Sequence, residues 1–156
     1  MSAEIKRSGS AADPAELRRL ADQLEGELHH DWAMRLLYAT DASEYQEMPL
    51  AVALPKSEAD LRLLLAFAAR HGVSLIPRAA GTSLAGQVVG DGIVVDLGRH
   101  LNRILNYDAQ QRRVRVQPGV VRNDLNLFLK PKGVFFAPET STANRAMMGG
   151  MVGNNS

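Results

Sequence analysis

The sequence predicts an α+β domain, with a small parallel β-α-β lobe followed by a more antiparallel lobe. Three observations carry that prediction. Apolar runs at Val52–Leu54 and Val73–Ile76 bracket a helical stripe, which implies parallel strands joined by a right-handed crossover. Val114 and Val116 alternate with Arg113, Arg115 and Gln117, the pattern of a strand with one wet face, and Ile104–Tyr107 supplies its hairpin partner. The switch between the two patterns comes near Gly98, and 156 residues suit one domain with two lobes.

Composition sets the outer bounds. Hydrophobic residues make up 46% and charged residues 22%, ordinary values for a globular chain that exclude disordered and fibrous classes. Eighteen basic residues against seventeen acidic ones give a net charge of +1, so charge offers no argument for nucleic acid or an anionic membrane as partner. The absence of cysteine excludes disulfides, thiol nucleophiles and thiolate metal sites within these residues. No apolar run approaches the ~18 residues of a membrane span, and Met1–Asp13 lacks the apolar core of a signal peptide and reads as a polar leader. The sequence stops inside Gly149-Gly150-Met151-Val152-Gly153-Asn154-Asn155-Ser156, a turn-like run without a closing strand or helix, and is expected to be part of a longer chain.

The elements follow in order. Asp13 caps a first helix, Pro14 suits its first turn and Glu16 completes a capping box; Leu17, Leu20, Ala21, Leu24 and Leu28 carry its apolar face to His29 or His30. Residues 31–50 show no clean period beyond a turn at Asp41-Ala42-Ser43. Ala51–Pro55 is a buried strand. Ser57 then caps a second helix with Leu61, Leu64, Leu65 and Ala68 as its buried stripe, ended by His71-Gly72. Val73–Pro77 and Gly92–Leu97 are the next strands. After the hairpin, Pro118-Gly119 turns the chain into a short helix at Asn123–Lys130, and Val134–Pro138 is a last apolar run.

Two loops have the composition for chemistry. Arg78-Ala79-Ala80-Gly81-Thr82-Ser83-Leu84-Ala85-Gly86-Gln87 directly follows a strand and combines glycine, hydroxyl and small residues. Backbone N–H groups approach an anion closely only where side chains are absent, so this loop suits a diphosphate; it equally suits a surface loop whose glycines serve turns. It is not a Walker A loop, because Gln87-Val88 stands where lysine and a hydroxyl residue are needed. Nor is it the Gly-x-Gly-x-x-Gly dinucleotide pattern, since Gly90 and Gly92 lead to Val95. The second loop runs from Pro138-Glu139-Thr140-Ser141-Thr142 to Gly149-Gly150 and Gly153, and two such loops suit a long ligand. Taken alone, Gly149-Gly150 reads as a tight turn.

The histidines, His29, His30, His71 and His100, form no pair with metal-ligand spacing and no Ser-His-Asp grouping, so neither a catalytic residue nor a metal ligand is assigned. His29, His30 and His71 suit helix C-termini. Trp32, Tyr38 and Tyr45 read as packing residues, with Tyr45 able to edge a pocket.

In order, the segments Tyr38–Ser43, Leu50–Asp60, Ile76–Gly86, Gln117–Val120, Ala137–Ser141 and Gly149–Ser156 resemble the FAD-binding PCMH-type domain, also called the vanillyl-alcohol oxidase type. The nearest resemblance is to FAD-linked D-lactate and D-2-hydroxyglutarate dehydrogenases and the glycolate oxidase FAD subunit. It covers residues 36–156 and leaves 1–35 as a leader and helix; it also implies that the domain is incomplete at its C-terminus.

The resemblance implies a site. Pro77, Arg78, Ala79, Ala80, Gly81, Thr82 and Ser83 hold the FAD pyrophosphate, and Gly86 and Gln87 close the same turn. Pro138, Ser141 and Thr142 lie near the flavin and its ribityl chain, while Gly149, Gly150, Gly153 and Asn154 line the cofactor further along. Ala79 and Ala80 stand where the family usually has glycine, a variation that keeps close approach but disfavours positive φ. Some relatives bind FAD covalently through a histidine of this loop; none lies between Arg78 and Gln87, so non-covalent FAD is expected. The implied reaction passes two electrons from a 2-hydroxy acid such as D-lactate, glycolate or D-2-hydroxyglutarate to the flavin and on to an electron acceptor. The implied setting is cytoplasmic or peripheral to a membrane. Catalytic groups belong to a later domain in such relatives. The alternative is a non-catalytic module that uses the same loops for another nucleotide or a protein partner.

Overall fold

The computed structural model describes residues 12–156, and residues 1–11 of the expected leader lie outside the described residues. Ala12 is buried in the core and Asp13 caps the first helix, so both belong to the folded unit.

Helix α1 (Pro14–Ala21) begins where the Asp13 carboxylate accepts from the Ala15 N–H. It ends at Ala21 rather than near His29. The chain turns at Gln23–Gly26 because the buried Asp60 carboxylate accepts from the N–H groups of Glu25 (2.9 Å), Gly26 (3.0 Å) and Lys56 (2.8 Å). Gly26 is required at this corner, since an ideal Cβ there falls 2.2 Å from the Leu54 carbonyl oxygen. Strand β1 (Glu27–His29) follows, and Leu28 is buried from a strand instead of a helix. His29 and His30 therefore do not sit at a helix end.

Residues 31–50 contain one short helix that hydrophobic period does not reveal. Helix α2 (Trp32–Leu37) is set by the Asp31 cap, which accepts from Met34 N–H at 3.0 Å, and none of its residues is fully buried. Trp32 is 67% exposed and Tyr45 61% exposed, so neither is a core residue.

Strand β2 (Ala51–Leu54), helix α3 (Glu58–His71), β3 (Leu75–Arg78) and β4 (Ile93–Asp96) form the parallel lobe. Ser57 caps α3, and Gly72 ends it in the left-handed conformation at φ 64°. The buried face of α3 is Asp60, Leu64, Phe67 and Ala68; Leu65, expected inside, is 61% exposed. The sheet order is β1-β2-β4-β3, with β2, β4 and β3 parallel and β1 antiparallel at one edge. Strand β4 thus inserts between the two strands of the β-α-β unit. Every residue of β2 and the apolar residues of β4 are buried, as central parallel strands require. Pro77 lies on edge strand β3, where a missing N–H is tolerated.

The second lobe is the antiparallel hairpin β5 (Ile104–Asp108) and β6 (Arg113–Val116), packed on α4 (Arg122–Leu129) through Val120, Leu125 and Leu129. A 3-10 turn at Lys130–Lys132 follows. Val134–Pro138 is not a strand: Phe135 is 74% exposed, and the Asn126 side chain bonds both the N–H and the carbonyl of Phe136. Gly149-Gly150 is not a tight turn but part of helix α5 (Met148–Gly153).

Candidate cofactor site

The three parallel strands direct their C-terminal ends to one edge of the sheet, where open α/β sheets bind ligands. The loop after β3 leaves from that edge. Its backbone is shaped by Gly81 (φ 66°) and Gly86 (φ 72°). Ala79 and Ala80 do not adopt positive φ, so alanine at these positions carries no backbone strain.

Among the described residues, the N–H groups of Ala79, Ala80, Gly81, Thr82, Ser83 and Leu84 find no acceptor within the protein. Six successive free donors on a loop of mostly small residues are the kind of backbone that can approach a polyanion closely. Several of the loop's other polar groups fix its shape and its seat on the neighbouring segment. Gln87 Oε1 accepts from the Ser83 hydroxyl and from Ala85 N–H (3.2 Å), and the Gly81 carbonyl accepts from Ala42 N–H (3.1 Å). Arg78 does not reach into the cradle: its Nη1 donates back to the Thr40 carbonyl at 2.7 Å.

The segment Tyr38–Tyr45 walls the loop. Tyr45 packs against Gly86, where an ideal Cβ falls 2.8 Å from the ring. Tyr38 donates its hydroxyl to Asp96 at 2.7 Å, and Asp96 also accepts from the N–H groups of Gly98 and Arg99. Burial, reinforced by the Asp96 acceptor, raises the Tyr38 hydroxyl well above its ordinary range. Burial opposes ionisation of Asp41, but the Ser43 hydroxyl and N–H outweigh it and hold the carboxyl below its usual value. Asp41 Oδ2 is buried without a donor, one residue from the Ala42 bond to the loop.

The tail reaches the same place. An ideal Cβ at Gly150 falls 3.1 Å from Ala79 Cβ, so the absence of a side chain lets α5 approach the loop. Gly149 N–H donates to the Pro118 carbonyl (2.8 Å), and an ideal Cβ there falls 2.6 Å from Pro118 Cβ. These glycines serve close helix packing. The Gln117–Val120 segment, Arg78–Gln87 and α5 are thereby brought together.

The remaining expected residues lie apart from the cradle's hydrogen bonds. Among the described residues no hydrogen bond links Pro138, Ser141 or Thr142 to Arg78–Gln87. Their segment is tied instead to α4: buried Arg122 donates through Nε to the Pro138 carbonyl (2.9 Å) and pairs with Glu139, Asn123 N–H donates to the Ala143 carbonyl, and the Thr142 carbonyl accepts from Arg145 and Ala146 N–H. Gly153 and Asn154 are exposed, and no atom lies near a Cβ added at Gly153. The sequence does not single out Tyr38, Asp96 and Arg122, which hold together the segments around the loop and the tail. Their only sequence signal is position, beside the loop-bearing segments, and it says nothing of the bonds they make.

Residues 49–156 match the family model described as FAD binding domain. The chain belongs to this family. As an FAD-binding domain it is 47% identical over 131 residues to D-2-hydroxyglutarate dehydrogenase of Haemophilus influenzae, covering 82% of this chain and 13% of that protein. It is 36% identical over 126 residues to glycolate oxidase subunit GlcD of Bacillus subtilis, covering 80% of this chain and 27% of that protein. The chain thus spans 13% and 27% of the length of these two relatives. A solved alkyldihydroxyacetonephosphate synthase superposes with a TM-score of 0.79 at 20% identity, over 92% of this chain and 32% of that one, and shows the shared fold alone. The α+β fold with a parallel lobe and an antiparallel lobe is the one the resemblance implied. Among the described residues no helix is long and apolar enough to cross a membrane.

Proposed function

We propose that this chain binds FAD non-covalently, with the diphosphate on the N–H groups of Ala79–Leu84, and serves a flavin-dependent oxidoreductase of 2-hydroxy acids. The row of six free donors on a glycine-shaped loop, at the C-terminal edge of a parallel sheet, carries this reading. A diphosphate fits it by chemistry, because backbone dipoles stabilise an anion without a counter-charge of their own. Gly150 and Gly149 let α5 close on the loop, and Pro138, bonded to Arg122 of α4, borders the cofactor's flavin end with Ser141 and Thr142.

Bound FAD supplies the two-electron acceptor chemistry; these residues bind and orient it and exclude water from it. The histidines His29, His30, His71 and His100 all lie outside Arg78–Gln87, which supports a non-covalent cofactor. The names of the relatives make D-2-hydroxyglutarate the first substrate to assay and glycolate the second. The groups that bind substrate and pass electrons to an acceptor are proposed to come from chain beyond these residues.

The test is calorimetric titration of the full chain with FAD, ATP and NAD, alongside Gly81→Val. FAD binds selectively, acid precipitation releases all the flavin, and Gly81→Val weakens FAD by at least about tenfold. A protein that takes up no FAD, or a Gly81→Val variant that binds it unchanged, overturns the reading.

A further inference from the structure

The loop that carries the free N–H groups rests on a cation. Arg78 ends β3, and its guanidinium folds beneath Gly81, where an ideal Cβ falls 2.7 Å from Nη2 and 3.0 Å from Cζ. Nη1 donates to the Thr40 carbonyl at 2.7 Å and reaches the Tyr38 carbonyl at 3.5 Å. The guanidinium carbon lies 5.2 Å from the centroid of the Tyr38 ring, and that ring is fixed in turn by its bond to Asp96. Every one of these contacts is to a neutral group. Among the described residues no carboxylate oxygen lies within 4.0 Å of the Arg78 nitrogens. The guanidinium is partly buried against carbonyls and an aromatic face, and its positive charge acts on its surroundings without a direct ion pair, as on the Asp41 carboxyl that it helps hold below its usual value.

We propose that Arg78 is a positioning residue for a diphosphate: it props Gly81 from below, anchors the loop to Thr40 and Tyr38, and puts positive charge behind the amide dipoles. The inference rests on the reading of this loop as the FAD diphosphate site. It concerns the diphosphate and not the flavin ring, so it extends to any diphosphate ester the cradle admits. Arg78 acts through the loop and touches no reacting atom.

The experiment titrates the full chain, freed of flavin, with FAD and with ADP at low and high salt, for wild type, Arg78→Lys and Arg78→Met. Arg78→Met weakens both ligands by about tenfold and flattens the salt dependence, while Arg78→Lys restores most of the affinity and the wild-type salt slope. A purely structural role lowers affinity equally in both variants and leaves the salt slope alone; that result overturns the proposal, as does Arg78→Met binding like wild type. If Arg78→Met loses cooperative thermal unfolding, Arg78→Lys decides: affinity within about threefold of wild type supports the charge, and a full tenfold loss refutes it. Gly81→Val separates the two claims. If it binds FAD normally, the loop reading fails whatever Arg78 does. If it loses FAD while Arg78→Met does not, the loop reading stands and this inference falls.

Discussion

Tyr38 is an ionisable group whose burial and partner act in the same direction. Its hydroxyl loses hydration, donates to the Asp96 carboxylate, and is held protonated above its ordinary value of 10.0. The unfolded chain ionises at the ordinary value, so the stability Tyr38 contributes is complete below pH 10 and is lost as pH rises from there toward the folded value. Absorbance titration at alkaline pH is therefore expected to show a late tyrosine ionisation that Tyr38→Phe removes, and Tyr38→Phe is expected to lose stability less steeply than wild type above that pH. An alkaline titration in which Tyr38→Phe abolishes no late-ionising group would remove Tyr38 from its place beside Asp96. Neither Tyr38 nor Asp96 stands out in the sequence, because a tyrosine before a turn and an aspartate ending a buried strand are each ordinary. Only the fold brings two residues 58 positions apart to 2.7 Å.

Between elements, Asp60 holds the most together. It sits in the first turn of α3, is 1% exposed, and accepts from the turn before β1 and from the residue two after β2. Asp60→Ala leaves three donors without their charged acceptor and is expected to cost about 3 kcal/mol in denaturant unfolding, with faster amide exchange across β1. A loss under about 0.5 kcal/mol would show that β1 does not depend on it. This residue also explains where the sequence misled. Leu17, Leu20, Leu24 and Leu28 keep helical spacing, so the helix seemed to run on, yet Gly26 and the distant Asp60 break it. The caps at Asp13 and Ser57, the stop at Gly72 and the β5–β6 hairpin were legible because each is a local signal. The insertion of β4 between β2 and β3 was not, because period 2 and 3.6 patterns carry no strand order. Helix α2 lacks a buried stripe and so left no period to read.

At the scale of the molecule, the near-neutral charge of the chain conceals a division. Residues 97–156 hold nine of the eighteen basic residues and three of the seventeen acidic ones, a balance of +6, while residues 1–96 balance at −5. The net +1 averages a basic C-terminal stretch, which holds the antiparallel hairpin, with an acidic N-terminal one. The candidate site lies where the lobes meet, with Ala79 of one against Gly150 of the other and Gly98 against Met147. The loop was legible from composition; that α5 packs upon it, and that Gly149-Gly150 is helical, follows from close approaches no local pattern encodes. The central claim is that the backbone donors of Ala79–Leu84 hold the FAD diphosphate. Amide NMR of the full chain with and without FAD tests it most directly. On FAD binding the amide protons of residues 79–84 are expected to shift downfield and gain exchange protection, and ADP to reproduce the effect. Unchanged signals at these six amides in an FAD-saturated protein would contradict it.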